Sequence, residues 1–192
     1  MEAFKAKGYE VLVLADAIDE VWADMVAEFD GKPLRSIAKG QVDLDDATAD
    51  GDEEAKPDHA EFDGLLAYLT GALGEQVKEA RLSTRLTTSP ACLVGDAQDL
   101  TPALEKLYRA MGRPVPHTKR ILELNPDHPY VTALREAYAR DGEGGTGSES
   151  ESESLKQTAE LLYGLALLAE GGELEDPARF SRLLADRLAP TV

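Results

Sequence analysis

Cysteine is almost missing from this sequence: Cys92 is the only one in 192 residues. A lone thiol excludes an intramolecular disulfide and any metal cluster built on several cysteines. Long apolar runs are missing as well. No stretch approaches the ~20 residues a helix needs to span a bilayer, and the first residues carry no signal-peptide pattern. These features predict a reducing cytoplasm. Positive charge is scarce, with 20 Lys and Arg against 37 Asp and Glu and a net charge of −17. Phosphate binding needs Lys and Arg to replace counterions, so neither nucleic acid nor an anionic membrane is an expected partner. The three histidines, His59, His117 and His128, are isolated, and no pair stands at the i, i+4 spacing of a helical zinc site. There is no Gly-x-Gly-x-x-Gly or phosphate-loop motif; Gly142, Gly144, Gly145 and Gly147 read as linker glycines because no strand precedes them.

What is present is an ordinary apolar fraction of 43%, enough for a packed core. Tyr9 to Leu14 is β-branched and apolar after Gly8 and reads as a buried strand. Asp16 to Phe29 reads as a helix, with Ile18, Val21, Trp22, Met25, Val26 and Phe29 recurring at threes and fours. Leu34 to Ala38 reads as a short strand. These pieces cannot close a core alone, so the block is expected to dock onto something before it in a longer protein. Residues 43–59 are crowded with Asp and Glu and read as a linker that cannot bury enough surface to offset ordering entropy. The expected division is 1–57 and 58–192.

The second block predicts a helix through Phe62, Leu65, Leu66, Leu69 and Leu73, ended by Gly74. Strands are expected over Val77 to Leu86, Ala91 to Val94 and Arg120 to Leu124, the last alternating in polarity. A helix over Asp99 to Met111, capped by Asp99, and another over His128 to Arg140 complete the middle. Asp141 to Ser154 is a Gly, Ser and Glu run expected to be flexible. Leu155 to Glu170 and Pro177 to Leu188 then form a helical hairpin, with Asp176 capping the second helix.

That hairpin carries more leucine than two helices can hide from each other. Its first helix offers Leu161, Leu162, Leu165 and Leu168, and its second Phe180, Leu183, Leu184 and Leu188. At roughly 25 cal/mol per Å², leaving several of these in water costs several kcal/mol. Two hairpins from two chains would make a four-helix bundle under twofold symmetry, which points to a homodimer. Packing on the chain's own domain satisfies the same pattern, and the pattern alone does not separate the two.

Few residues invite chemistry. Cys92 lies in the apolar run Ala91-Cys92-Leu93-Val94 and reads as a buried small hydrophobe. The competing reading is a small acidic cytoplasmic enzyme that uses Cys92 or a carboxylate pair. His128, between turn signals, reads as a helix-start cap, and Ser83, Thr87 and Ser89 as turn and strand-end residues. Two apolar stripes suit contact with other proteins or, equally, core packing: Trp22 and Met25 beside Glu20, and Leu100, Leu104, Leu107, Tyr108 and Met111.

The local motifs occur in a telling order. Gly8-Tyr9-Glu10-Val11-Leu12-Val13-Leu14 is followed by Ile18-Asp19-Glu20 and Glu28-Phe29-Asp30-Gly31-Lys32-Pro33-Leu34. Arg81-Leu82-Ser83-Thr84-Arg85-Leu86 leads to Ser89-Pro90-Ala91-Cys92-Leu93-Val94, then to Ile121-Leu122-Glu123-Leu124-Asn125-Pro126-Asp127-His128-Pro129. Ala166-Leu167-Leu168-Ala169-Glu170-Gly171-Gly172 and Leu174-Glu175-Asp176-Pro177 close the series. End to end, the chain resembles the C-terminal portion of the bacterial heat shock protein 90 chaperones. The resemblance implies an α+β fold: the end of an αβ middle domain, then a mixed α/β dimerisation domain ending in the helical hairpin. It implies a homodimer that contacts unfolded or partly folded client proteins. It implies no catalytic, metal or cofactor site in this chain, with ATP and magnesium held by other parts of the full-length chaperone. Glu20 matches the family's client-contact glutamate, whereas the family tryptophan that follows it directly is replaced by Val21, with Trp22 one position later. Leu100 and Leu104 stand where the family has methionines, and Leu107 continues that stripe. Ala189-Pro190-Thr191-Val192 lacks the acidic tail of eukaryotic relatives, which fits a bacterial protein.

Overall fold

The computed structural model describes residues 1–14, 16–26, 28–37, 39–40, 60–96, 99–115, 118–140 and 149–189. The chain opens with a short helix, α1 (Glu2–Ala6), and a second, α2 (Ala17–Met25). Asp16 and Asp19 form a reciprocal capping box at the start of α2. The helix ends earlier than the apolar spacing predicts. Asp30 (φ 51°) and Gly31 (φ 72°) both sit in the left-handed region. That is the hairpin turn an Asp-Gly pair favours. It draws Glu28–Phe29 (β1) out of the helix to pair antiparallel with Lys32–Pro33 (β2).

Two expected strands of the first block do not form. Residues 9–14 run without strand pairing, and Leu12, Val13 and Leu14 are exposed. A strand exists only where a neighbour accepts its hydrogen-bond ladder, and no such neighbour stands beside this segment among the described residues. Leu34 to Ala38 likewise forms no strand over its described residues; Lys39 alone makes a bridge, to Gly95. The acidic linker at 43–59 lies outside the described residues.

The second block is built on a three-stranded sheet. A 3-10 turn (Ala60–Phe62) runs into α3 (Asp63–Ala72), followed by β3 (Val77–Leu82), β4 (Ala91–Val94), α4 (Pro102–Ala110), β5 (Arg120–Leu124), α5 (Pro129–Arg140), α6 (Glu149–Ala169) and α7 (Pro177–Leu188). β5 is central, parallel to β3 and antiparallel to β4. β3 stops at Leu82, short of the expected Leu86, because Leu82 pairs with Leu124 at the end of β5. β5 alternates in polarity as read, yet all five of its residues are buried, since both faces of the sheet are covered.

One face carries the main core. Leu65 and Leu69 of α3, Val131 and Leu134 of α5, and Leu155, Ala159, Leu162 and Ala166 of α6 pack on Leu122, Leu124, Ala91 and Leu93. Each fully buried leucine contributes about 1.5–3 kcal/mol. Thr101, not Asp99, caps α4, its hydroxyl accepting from Leu104 N at 3.3 Å. Asp99 instead accepts from Asp96 N. Pro129 opens α5, and Tyr130 N donates to His128 Nδ1 at 3.1 Å, a cap as the sequence suggests. Part of the Gly/Ser/Glu run is helical: Glu149 to Ser154 are the first turns of α6, while 141–148 lie outside the described residues. Within it the Ser154 carbonyl accepts from the Thr158 hydroxyl one turn on and from Arg187 of α7.

Candidate functional site

The hairpin is fixed by its turn and by one close crossing. Gly171 (φ 77°) and Gly172 end α6, with Gly171 N donating to Leu168 O and Gly172 N to Leu167 O. That paired bonding is a Schellman cap. Asp176 accepts from Arg179 N at 2.8 Å and Pro177 opens α7, as the sequence predicts. Gly164 lets Phe180 lie against α6, for a Cβ there would sit 2.6 Å from the ring. Arg179 grips Glu160 through Nε and Nη2 (3.0 and 2.7 Å), and Arg187 reaches Ser154 and Thr158. α7 is thus tethered to α6 but buries no residue of its own. Between α7 and the α3–β3 turn lies an open cleft of about 910 Å³ onto which Tyr163, Leu167, Phe180 and Leu183 face.

The eight hairpin residues singled out in the sequence divide accordingly. Leu161 and Leu162 are buried within this chain. A side chain already covered has no further surface to give, so these two are removed from any outward face. Phe180, Leu183 and Leu184 are half-buried. Leu165, Leu168 and Leu188 remain 41, 45 and 55% exposed. The periodicity counted every leucine alike; which of them face the sheet was set by α6 docking along Leu155, Ala159, Leu162 and Ala166.

A second apolar surface lies where α2 touches α4, so the two stripes that sequence reasoning treated separately come together. Trp22 and Met25 are exposed on α2, as are Ile18 and Val21. The side chain of Glu20 lies outside the described residues. On α4, Leu104 is buried, while Leu107 and Met111 are exposed and Leu100, just before the helix, is half-buried.

Sequence reasoning missed the charged cluster on the sheet's other face. Glu123, buried in mid-β5, accepts from Arg81 Nη2 (2.7 Å) and Nε (3.1 Å) and from the Ser83 hydroxyl (2.9 Å). Arg85 Nε lies 2.9 Å from Glu123 Oε2 but out of line for a hydrogen bond, while its Nη atoms bind the Ile37 and Gly40 carbonyls. A glutamate between apolar neighbours, Leu122 and Leu124, was the available signal, because a buried carboxylate requires partners. Both carboxylate oxygens are occupied, so the cluster is a closed structural pair with no open position for a substrate.

Cys92 beside it is buried, and burial followed by the Glu123 charge pushes its thiol up to about 12. The thiolate is the nucleophile, so this cysteine is held in its unreactive form. Iodoacetamide at pH 8 should leave Cys92 unmodified in the native chain and label it once urea is added; rapid native labelling, read by mass spectrometry, would contradict the burial. The folded state prefers the protonated thiol. Its contribution is therefore complete below the ordinary value of 9.0 and is lost as pH rises from there toward about 12. Among the described residues, no group of His, Cys, Asp and Glu is placed to hold a metal ion. No helix among them is long and apolar enough to cross a membrane.

A family model described as "Hsp90 protein" matches residues 1–192. The chain is 61% identical over 194 residues to the Chaperone protein HtpG of Rhodococcus jostii, covering 100% of this chain and 29% of that relative. It is 62% identical to the protein of that name from Frankia casuarinae, covering 98% of this chain and 28% of the relative. Against that of Mycobacterium tuberculosis it is 58% identical over 192 residues, 100% of this chain and 29% of the relative. The chain thus spans under a third of the length of the relatives it matches.

Proposed function

This chain belongs to the Hsp90 protein family, and from that premise we propose that it is the homodimerisation and client-contact region of an ATP-dependent bacterial chaperone. The observation that carries the reading is α7: an amphipathic helix with no buried residue, next to exposed Leu165 and Leu168 of α6. A second copy related by a twofold axis would bury both faces at once, giving four helices around one apolar seam. Residues 1–57 would be the end of the chaperone's middle domain and 58–192 its dimerisation domain. ATP and magnesium would be bound elsewhere in the longer protein, and the cytoplasm is the proposed compartment. Sedimentation equilibrium tests the dimer directly: twice the chain mass is expected, and a strict monomer at high protein concentration would overturn it.

The client surface in this reading is the α2–α4 face. Exposed Trp22, Met25, Leu107 and Met111 offer polarisable, adaptable apolar contacts. Replacing Trp22 and Met25 with Ser should weaken suppression of aggregation of an unfolded test protein severalfold without changing the oligomeric mass. Unchanged suppression would remove this face from client contact. Leu104 is buried and so gives that surface support more than contact. The enzyme reading built on Cys92 or a carboxylate pair is disfavoured by the protonated, buried thiol and by the closed pairing of Glu123.

A further inference from the structure

The Glu2 side chain is held in an unusual way for a residue near the start of a five-residue helix. Its Oε2 accepts from the amides of Thr87 (2.7 Å), Thr88 (2.6 Å) and Ser89 (3.1 Å), and its Oε1 from the Ser89 amide and hydroxyl. Three successive amides turned onto one anion form a nest. Burial works against the charge there, but the hydrogen bonds of Ser89, Thr88 and Thr87 outweigh it and hold the carboxyl well below the usual carboxylate range. Close by, Ala3 N donates to Arg85 O, Arg85 donates to the carbonyls of Ile37 (2.7 Å) and Gly40 (2.9 Å), and Gly40 N donates to Gly95 O.

We infer that Glu2 is the plug of a reversible latch that joins residues 1–40 to the sheet, with the amides of Thr87–Ser89 as its socket and Arg85 as its second point of attachment. Reversibility follows from what the joint is made of. Its attachments at Glu2, Arg85 and Gly40 are polar, and the contact of α2 on α4 leaves Trp22, Met25 and Leu107 exposed. The buried apolar residues of the first segment, Ala3 and Phe4, cluster with Val11 and Ile37 and remain separate from both apolar clusters of the sheet. Opening therefore exchanges hydrogen bonds with water, a small net loss per bond, and need not tear a shared core. Nor does it orphan a buried charge, because Arg85 and Arg81 stay beside Glu123. The strength of the latch resides in the charge of Glu2, since hydrogen bonds to an ionised acceptor are roughly twice as strong as neutral ones. In the closed state α2 rests on α4, so the latch also sets how much of the α4 stripe is covered.

Amide hydrogen exchange on the native chain tests this with Glu2→Ala, Glu2→Gln and, as a milder cut, Ser89→Ala. In Glu2→Ala the amides of Thr87–Ser89 and of Gly40 should exchange together, roughly tenfold faster or more, while Leu122 and Leu124 in β5 keep their protection. Glu2→Gln, which keeps shape and loses charge, and Ser89→Ala should show the same regional pattern at smaller amplitude. Faster exchange confined to Thr87–Ser89 with Gly40 unchanged would overturn the latch, leaving a local contact. Loss of protection throughout the sheet in all three variants would overturn it too, because the joint would then be part of the core.

Discussion

Leu165→Glu should convert the proposed dimer to monomers. Leu165 lies on the outer side of α6 with two-fifths of its surface uncovered, so the substitution costs the isolated chain little. At a twofold seam the same change occurs twice, placing two carboxylates in one apolar contact. Desolvating and opposing those charges costs several kcal/mol, on the order of a 10³-fold weaker association. Sedimentation across a concentration series would show a shifted midpoint. The informative contrast is Leu162→Ala. Leu162 is fully buried on the sheet side, so this variant should lose about 2–5 kcal/mol of stability with the mass of the folded protein unchanged. If Leu165→Glu leaves the mass unchanged, the outer face of α6 is not the seam.

Glu123→Gln should strongly destabilise the sheet. Glu123 and the Arg85 side chain are 3 and 5% exposed, and Arg81 is 21% exposed. Removing the carboxylate leaves a buried guanidinium without its counter-charge, and breaking such a pair from one side costs roughly 3–5 kcal/mol. Against a typical total of about 5–15 kcal/mol, that is a large fraction. With urea slopes of roughly 1–3 kcal/mol per M for small proteins, the midpoint should fall by on the order of 2 M. A shift below about 0.5 M would mean that water already screens the pair. The effect on the α1 side should also be visible, because Arg85 is the residue that joins Glu123 to Ile37 and Gly40.

Sequence and structure agree most closely where the information is local. Asp176 with Pro177, Gly171 with Gly172, and the threes and fours of Leu65 and Leu69 each act within a few residues, through caps, turns and helix period, and each appears as read. Disagreement concentrates where a residue's state depends on a neighbour far along the chain. Tyr9 to Leu14 has strand composition, but composition does not provide the ladder a strand must join. Phe29 fits the helical spacing, yet the two positive-φ residues after it favour a hairpin more strongly. The Ser/Glu run up to Ser154 looks like linker by composition, yet Glu149 to Ser154 are helical, and Ser154 is bonded by Arg187, 33 residues later.

The same division governs function. Order of motifs, the ends of the hairpin helices at Gly171–Gly172 and Asp176–Pro177, the burial of Cys92 and membership of the Hsp90 family were all determined by the sequence alone, because they rest on residue identity and short-range geometry. Only the tertiary structure decided which hairpin leucines face outward, that α2 and α4 lie together, and that Glu123, Arg81 and Arg85 form one buried group. It alone placed Glu2 on the amides of Thr87–Ser89, 85 and more residues away. Those relations are set by packing of the sheet against α6 and of the first segment against the sheet, and a linear pattern carries no record of which of two equivalent faces is covered.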